Sequence, residues 1–189
     1  MKKSLIAAGL FLSMAAPLAA NAADYKIDTS GAHASINFAV SHLGYSITQG
    51  RFNDFEGTFS YDENNIEASK VKVVVDTTSL DSNHAERDKH IRSADFIDAG
   101  KFSTATFTST KVVDKKGGNM DVIGDLTLHG ITHPITINAS VIGGGADPWG
   151  GERLGLKGTT RLELKDFGIK EMGATTYADM TLYVEGIKQ

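Results

Sequence analysis

The stretch SNHAERDKHIRSADFID, residues 82–98, is the part of the chain richest in titratable side chains. Such side chains can act as general acids and bases or as metal ligands. They can equally form the solvated outer face of a short helix. Seven of them fall between positions 84 and 92: His84, Glu86, Arg87, Asp88, Lys89, His90 and Arg92.

The spacing of the histidines argues against a metal centre in this stretch. His84 and His90 are six positions apart and do not share a helix face. The zinc-protease spacing H-E-x-x-H is absent. The fragment at residues 84–86 matches the H-x-E of zinc deaminases, but the chain has no cysteine to complete that site. We therefore expect no metal and no cofactor here, and interpret Arg87 and His90 as candidate contacts for a ligand head group.

Two weaker chemical signals lie elsewhere. His129 and His133 flank a short turn and could meet across a hairpin as a weak metal site. No G-x-S-x-G nucleophile elbow occurs, although a Ser–His–Asp triad built from distant residues stays an open alternative. No catalytic residue is assigned.

The first 22 residues have the pattern of a secretory signal peptide. Lys2 and Lys3 precede an uncharged apolar run at residues 5–18, and residues 20–22 fit the small-x-small cleavage rule. The expected domains are therefore a leader, residues 1–22, and one exported domain, residues 23–189; an uncleaved anchor is the alternative. The basic start of a short chain suggests a bacterial periplasm. With no cysteine, the domain must fold without disulfides.

Composition points away from nucleic acid and toward one globular domain. The formal net charge is −4, and no basic cluster stands out. A chain of this length can bury a sizeable core as a single domain.

Outside the charged stretch the dominant sequence period is two, which is the period of β-strands. Ile135, Ile137 and Ala139, for example, alternate with Thr136 and Asn138. An antiparallel sheet with one apolar face closes into a barrel or splits into a sandwich. Eight closed strands leave an interior that side chains just fill, or that holds one small ligand. The alternating segments are 34–40, 70–75, 121–129, 133–141, 154–165 and 179–185.

The charged stretch itself predicts a short helix over residues 84–92, which contain no glycine or proline. Asp81, Ser82 or Asn83 can cap its start. Ile91 and Phe96 are the apolar residues that would dock it, and a helix between barrel strands is expected to pack across one mouth.

Four strings resemble the periplasmic YceI-like family of polyisoprenoid- and lipid-binding proteins: HLGYSITQGRFNDFEGTF, DTTSLDSNHAERDKHIRSADF, GDLTLHGITHPITI and DPWGGERLG…LELKDFGIK. The resemblance covers essentially residues 23–189. It implies an all-β fold: an eight-stranded antiparallel, lipocalin-like barrel with a short helix near one opening. It also implies a cavity for a polyisoprenoid, an isoprenoid quinone, a fatty acid or a similar lipid. The family is linked to stress response and to membrane cytochrome b561-type proteins, and no catalytic residues are defined for it.

The expected ligand-binding residues combine the apolar strand positions with residues near the mouth. The same apolar residues would suit a packed core, so the sequence leaves pocket and core open. It favours a non-enzymatic carrier or store of lipid. The alternatives are a lipid-modifying enzyme using Thr104, Thr160 and His133 inside the tube, or a filled barrel that partners a membrane redox protein; a homodimer is also open. The expected ligand-binding residues are Ile36, Phe38, Val40, Tyr45, Phe52, Val73, His90, Phe107, Leu126, Leu128, Ile135, Ile137, Trp149, Leu162, Phe167 and Leu182.

Overall fold

The computed structural model describes residues 22–189. The leader, apart from Ala22, lies outside the described residues. Among those that are described, no helix is long and apolar enough to cross a bilayer. The strands are β1 (Ala23–Ile27), β2 (Ser35–His42), β3 (Ser46–Phe52), β4 (Phe55–Tyr61), β5 (Lys70–Asp76), β6 (Leu80–Asp81), β7 (Thr104–Lys116), β8 (Asn119–Leu128), β9 (Ile131–Ala146), β10 (Glu152–Glu163) and β11 (Tyr177–Lys188), and the helix α1 is Ala85–Ile91. Short 3-10 helices span Ile66–Ala68, Thr77–Ser79 and Leu164–Phe167.

Eight strands close into an antiparallel barrel in the order β1-β4-β5-β7-β8-β9-β10-β11. Closure is made by β1, which pairs with both β4 and β11. The remaining strands, β2, β3 and β6, continue the sheet from the other part of β11. The predicted all-β, eight-stranded antiparallel barrel with one short helix is confirmed.

The barrel has two distinct ends. Along β11, Gly186 pairs with Ile27 of β1 and Ala178 pairs with Val40 of β2. The strands β1 and β2 therefore pair with successive parts of β11. The end that carries the β2–β3 turn and α1 is called the helix end below. The end that carries β1 and the β9–β10 loop is called the far end.

Large side chains fill the barrel wall because glycines make room for them. A Cβ on Gly124 would lie 2.6 Å from Cζ of Phe107, and one on Gly50 would lie 2.3 Å from Cζ of Phe38. Each ring therefore lies over a glycine of the neighbouring strand. At the far end Tyr25 stacks on the Phe59 ring at 4.9 Å between centroids.

The helix forms where the sequence predicts it, but with a different cap. His84 is the N-cap: its Nδ1 accepts a hydrogen bond from Arg87 N at 3.2 Å. Asp81, one of the predicted caps, instead accepts from Asn83 N at 2.8 Å and shapes the turn before the helix. The prediction of a cap at residues 81–83 is wrong because this turn, with φ +62° at Asn83, keeps those side chains away from the first free amides.

Candidate functional site

The interior of the barrel is an apolar cavity of about 490 Å³. Its walls are the alternate side chains of the strands, such as Val71, Val73 and Val75 on β5 and Met180 and Leu182 on β11. This volume lies within the ~300–1,000 Å³ typical of small-molecule sites. The interior is therefore an open tube rather than a filled core.

Fourteen of the sixteen predicted ligand-binding residues line this cavity. They come from both parts of the barrel wall and from the elements at the helix end. These residues are Ile36, Phe38, Val40, Phe52, Val73, His90, Phe107, Leu126, Leu128, Ile135, Ile137, Leu162, Phe167 and Leu182. That they contact a ligand stays a prediction.

Neither Tyr45 nor Trp149 lines the cavity. Tyr45 lies beside the mouth, where it was expected, whereas the expected position of Trp149 at the mouth is wrong. Tyr45 is 87% exposed at the tip of the β2–β3 turn. Trp149 is 76% exposed and belongs to the opposite, far end. There Asp147 accepts hydrogen bonds from the Trp149 and Gly151 amides, which close the loop on itself, and the indole lies 5.2 Å from the Arg153 guanidinium.

Several lining residues were not predicted. Met180 follows the strand alternation and could have been found from it. Ile97, Ile169 and Met172 lie in irregular segments, where no sequence period marks the inward side. Their position depends on tertiary packing at the helix end.

The cavity reaches solvent at the helix end. His42, His90 and Met172 line the cavity and are also exposed. At the far end, by contrast, the lining residues Ile27, Val112 and Met120 are all buried. The tube is thus closed at one end and has its mouth beside α1.

The helix α1 forms one side of this mouth. Arg87, His90 and Ile91 of α1 line the cavity, as does Phe96 of the following turn. The His90 ring packs edge-on against Phe96 at 5.0 Å, and its Nε2 lies 3.8 Å from an Asp95 carboxylate oxygen. The predicted docking role of Ile91 and Phe96 agrees with this placement.

A buried carboxylate fixes the helix to the barrel. Asp88 Oδ1 accepts from Ser82 N at 2.8 Å and from Ser82 Oγ at 2.5 Å. Arg87 Nε donates to Ser82 Oγ at 2.8 Å, and its Nη2 donates to Ser82 O at 2.5 Å. Part of the charged stretch is therefore structural, while most of its other charges face solvent.

A polar groove of about 530 Å³ adjoins the mouth between β3 and the start of α1. His42, Thr48 and Arg87 line both the groove and the apolar cavity. Ring and guanidinium N–H groups are donors, so the groove suits oxygen atoms of a head group. Its remaining lining residues are Ser46, Ile47, Gln49, Ser82 and Asn83.

Few polar groups lie within the tube itself. Of the three residues considered for an enzymatic site, only Thr160 lines the cavity. His133 Nε2 lies 3.6 Å from Asp166 Oδ2, and Thr104 is exposed. Near the far end, Ser69 Oγ is buried against the cavity without a hydrogen-bond partner among residues 22–189.

The far end is held by a cluster around Arg153. Its Nη1 lies 2.7 Å from Asp28 Oδ2 and 2.6 Å from Glu185 Oε1, and its Nε lies 3.0 Å from Asp147 Oδ2. Hydrogen bonds from Arg153, and then from His33 and a backbone amide, hold the pKa of Asp28 far below its usual range.

That cluster also contains the one grouping of potential metal ligands found within the described range. Asp28, His33 and Glu185 offer ligand atoms within 4.8 Å of one another. Because the Arg153 guanidinium already occupies the space between the two carboxylates, this arrangement fits an ion-pair cluster better than a cation site.

Comparison with known proteins gives consistent results. The family model of the YceI-like domain matches residues 25–186. A UPF0312 protein of Vibrio vulnificus is 73% identical over 189 residues, and one of Shewanella baltica is 58% identical over 191 residues; in both cases 100% of each chain is covered.

Solved structures share the fold at low sequence identity. Burkholderia cenocepacia BcnA aligns with a TM-score of 0.76 at 17% identity, covering 84% of this chain and 98% of its own. A Campylobacter jejuni YCEI protein aligns at 0.72 and 24% identity, covering 79% and 90%. A polyisoprenoid binding domain from Saccharophagus degradans, implicated in plant cell wall breakdown, aligns at 0.59 and 15% identity, covering 89% and 100%.

Proposed function

Because the chain belongs to the YceI-like family, we propose that it is a non-enzymatic binding protein that holds a long apolar chain inside its barrel. The observation that carries the proposal is the apolar cavity of about 490 Å³, closed at the far end and open beside α1. The description of the Saccharophagus degradans neighbour as a polyisoprenoid binding domain supports the same ligand class.

The free energy of binding comes from transferring hydrocarbon out of water. Each buried methylene contributes about 0.8 kcal/mol. A long tail can thus bind tightly with few polar contacts, and the smooth apolar wall discriminates little between types of tail. Isoprenoid, quinone and fatty-acid tails are all compatible with such a tube.

The head group belongs at the mouth, in the polar groove. His42 and Arg87 line both spaces, so a tail in the cavity would bring its head group within reach of their N–H donors. Among residues 22–189 no carboxylate lines the groove, so its donors favour an oxygen-rich acceptor, such as a quinone carbonyl or a phosphate.

The open interior favours lipid binding over the alternative of a filled barrel that partners a membrane redox protein. An enzymatic role would need polar groups converging in the tube, and of Thr104, Thr160 and His133 only Thr160 lines it. For the biological setting we propose transport or storage of the lipid in the periplasm, on the strength of the leader pattern in residues 1–22.

Mass spectrometry tests the proposal directly. The protein is purified from its own cells without detergent, and native and denaturing spectra are compared. We expect a native mass that exceeds the chain by several hundred daltons and loses the excess on denaturation, with the ligand identified in an organic extract. A ligand-free native mass, together with no uptake of added ubiquinone or polyprenyl phosphate, would refute the proposal.

A further inference from the structure

Exposed apolar side chains cluster beside the mouth of the cavity. Leu43 and Tyr45 form the tip of the β2–β3 turn, Ile47 follows on β3, and Met172 lies on the neighbouring turn. All four are exposed. These residues are called the rim patch below.

The rim patch is continuous with the apolar cavity. Thr175 Oγ1 donates a hydrogen bond to Ser41 O, which fixes the turn at residues 172–175 against the end of β2. Met172 itself lines the cavity. An apolar surface therefore runs from inside the tube, across Met172, to the exposed turn.

Leu43 has a left-handed backbone conformation, which is unfavourable for a leucine. In the turn closed by Tyr45 N donating to His42 O, Leu43 has φ +53° and Gly44 has φ +81°. Asparagine, aspartate and glycine adopt this left-handed conformation with less strain than leucine. An exposed leucine that is kept in a strained conformation points to a use outside the folding of the turn.

We propose that the rim patch docks the mouth of the barrel onto a phospholipid bilayer, so that an apolar chain passes between membrane and cavity without crossing water. This inference rests on the proposed function. A tail that left the bilayer through water would lose all of its hydrophobic stabilisation at the midpoint of the transfer. With Leu43 and Tyr45 inserted among the acyl chains, the tail moves from one apolar phase directly into another.

The charge of the protein defines the kind of binding to expect. The formal net charge is −4, so attraction to anionic lipids is not the driving force. Docking through apolar side chains works on zwitterionic phosphatidylcholine vesicles and depends little on salt.

The far end of the barrel supplies matched controls. The control for Tyr45 is Trp149, an aromatic residue that is also highly exposed. The control for Leu43 is Ile142, which is exposed on β9 toward the far end. The test variants are Leu43→Asn and Tyr45→Ser, and the controls are Ile142→Asn and Trp149→Ser. None of these four residues lines the cavity or the polar groove.

Three quantities are measured for each variant: binding of geranylgeraniol added from ethanol, flotation with phosphatidylcholine vesicles, and the rate of geranylgeraniol transfer from vesicles to protein. We expect Leu43→Asn and Tyr45→Ser each to weaken vesicle binding and slow transfer about tenfold. Binding from ethanol should be unchanged, and the controls should behave as wild type. Leu43→Asn should leave the thermal midpoint equal or higher, because asparagine relieves the backbone strain.

The outcomes separate this inference from the proposed function. If wild type fails to bind geranylgeraniol from ethanol, the binding function falls and docking with it. If it binds but transfers at the same rate in all variants, docking is overturned while the binding function stands. If the rim variants change a dimer into a monomer in sedimentation without changing transfer, the patch is an interface between copies and the bilayer proposal is wrong.

Discussion

Filling the tube from one side should weaken lipid binding about 100-fold while leaving the fold intact. Leu126 lies on β8 between Phe107 and His133 of the adjacent strands, and its side chain faces the cavity. In Leu126→Trp the larger ring would enter empty space. The usual overpacking cost of ~1–3 kcal/mol should therefore be largely avoided.

The loss of affinity can be worked out from the displaced tail. The indole takes the room of roughly four methylenes at about 0.8 kcal/mol each, about 3 kcal/mol in total, which is a factor of about 100 in Kd. Titration with geranylgeraniol, followed by mass spectrometry, measures this change. The matched control is Asp125→Trp, which adds the same ring one position earlier on the exposed face of β8.

Two results would refute the reasoning. Affinity of Leu126→Trp within about twofold of wild type would show that the tail does not pass this point. An equal loss in Asp125→Trp would show that the effect comes from a general disturbance of the strand. A circular dichroism melt within a few degrees of wild type is required of both variants before their affinities are compared.

Three further predictions concern polar groups. Since the folded-state pKa of Asp28 is lowered, its stabilising effect is present above the unfolded value of ~3.9 and is lost as pH falls below it. In Asp28→Asn the free energy of unfolding, measured in urea, should therefore fall less steeply below pH ~4 than in wild type. A fall as steep as that of wild type would contradict this. Ser69→Ala removes a buried hydroxyl that has no partner within residues 22–189. The free energy of unfolding, measured in urea, should therefore stay within ~0.5 kcal/mol of the wild-type value or rise. A loss above ~1 kcal/mol would show that the hydroxyl has a hydrogen-bond partner. Asp88→Ala removes both hydrogen bonds from Ser82 and should lower stability by ~1.5–3 kcal/mol. Because α1 forms one side of the mouth, the variant should also release ligand faster in stopped-flow measurements, and an unchanged release rate would show that fixing α1 does not limit release.

Strand alternation made the barrel wall predictable. Leu126, Leu128, Ile135 and Ile137 all face the cavity because a side-chain period of two fixes which face of a strand is apolar. Whether the space between these residues is filled depends on distances across the barrel, which no local pattern contains. The same alternation is therefore equally consistent with a core and with a pocket.

The ends of the barrel were less predictable. Tyr45 and Trp149 are aromatic residues in loops near polar residues, and both were expected at the mouth, but only Tyr45 lies there. Which end of the barrel a loop occupies follows from strand direction and order, and the turn of the Trp149 loop is closed by hydrogen bonds to Asp147. The Arg153–Asp28 pair joins residues that are 125 positions apart, so it too was outside the reach of local sequence reasoning.

Because the far end is closed, the tube has a finite depth, and its affinity for a ligand depends on the length of the ligand's chain. The 12 residues of β11 at ~3.3 Å each, tilted by ~40°, make a barrel about 30 Å tall. While a tail is shorter than the tube, each added methylene strengthens binding by the same increment. Once the tail reaches Ile27 and Met120, further carbons must fold back or stay outside. A plot of affinity against chain length should therefore rise and then level off. The tube would thus select ligands by length, although its apolar wall does not distinguish their chemistry.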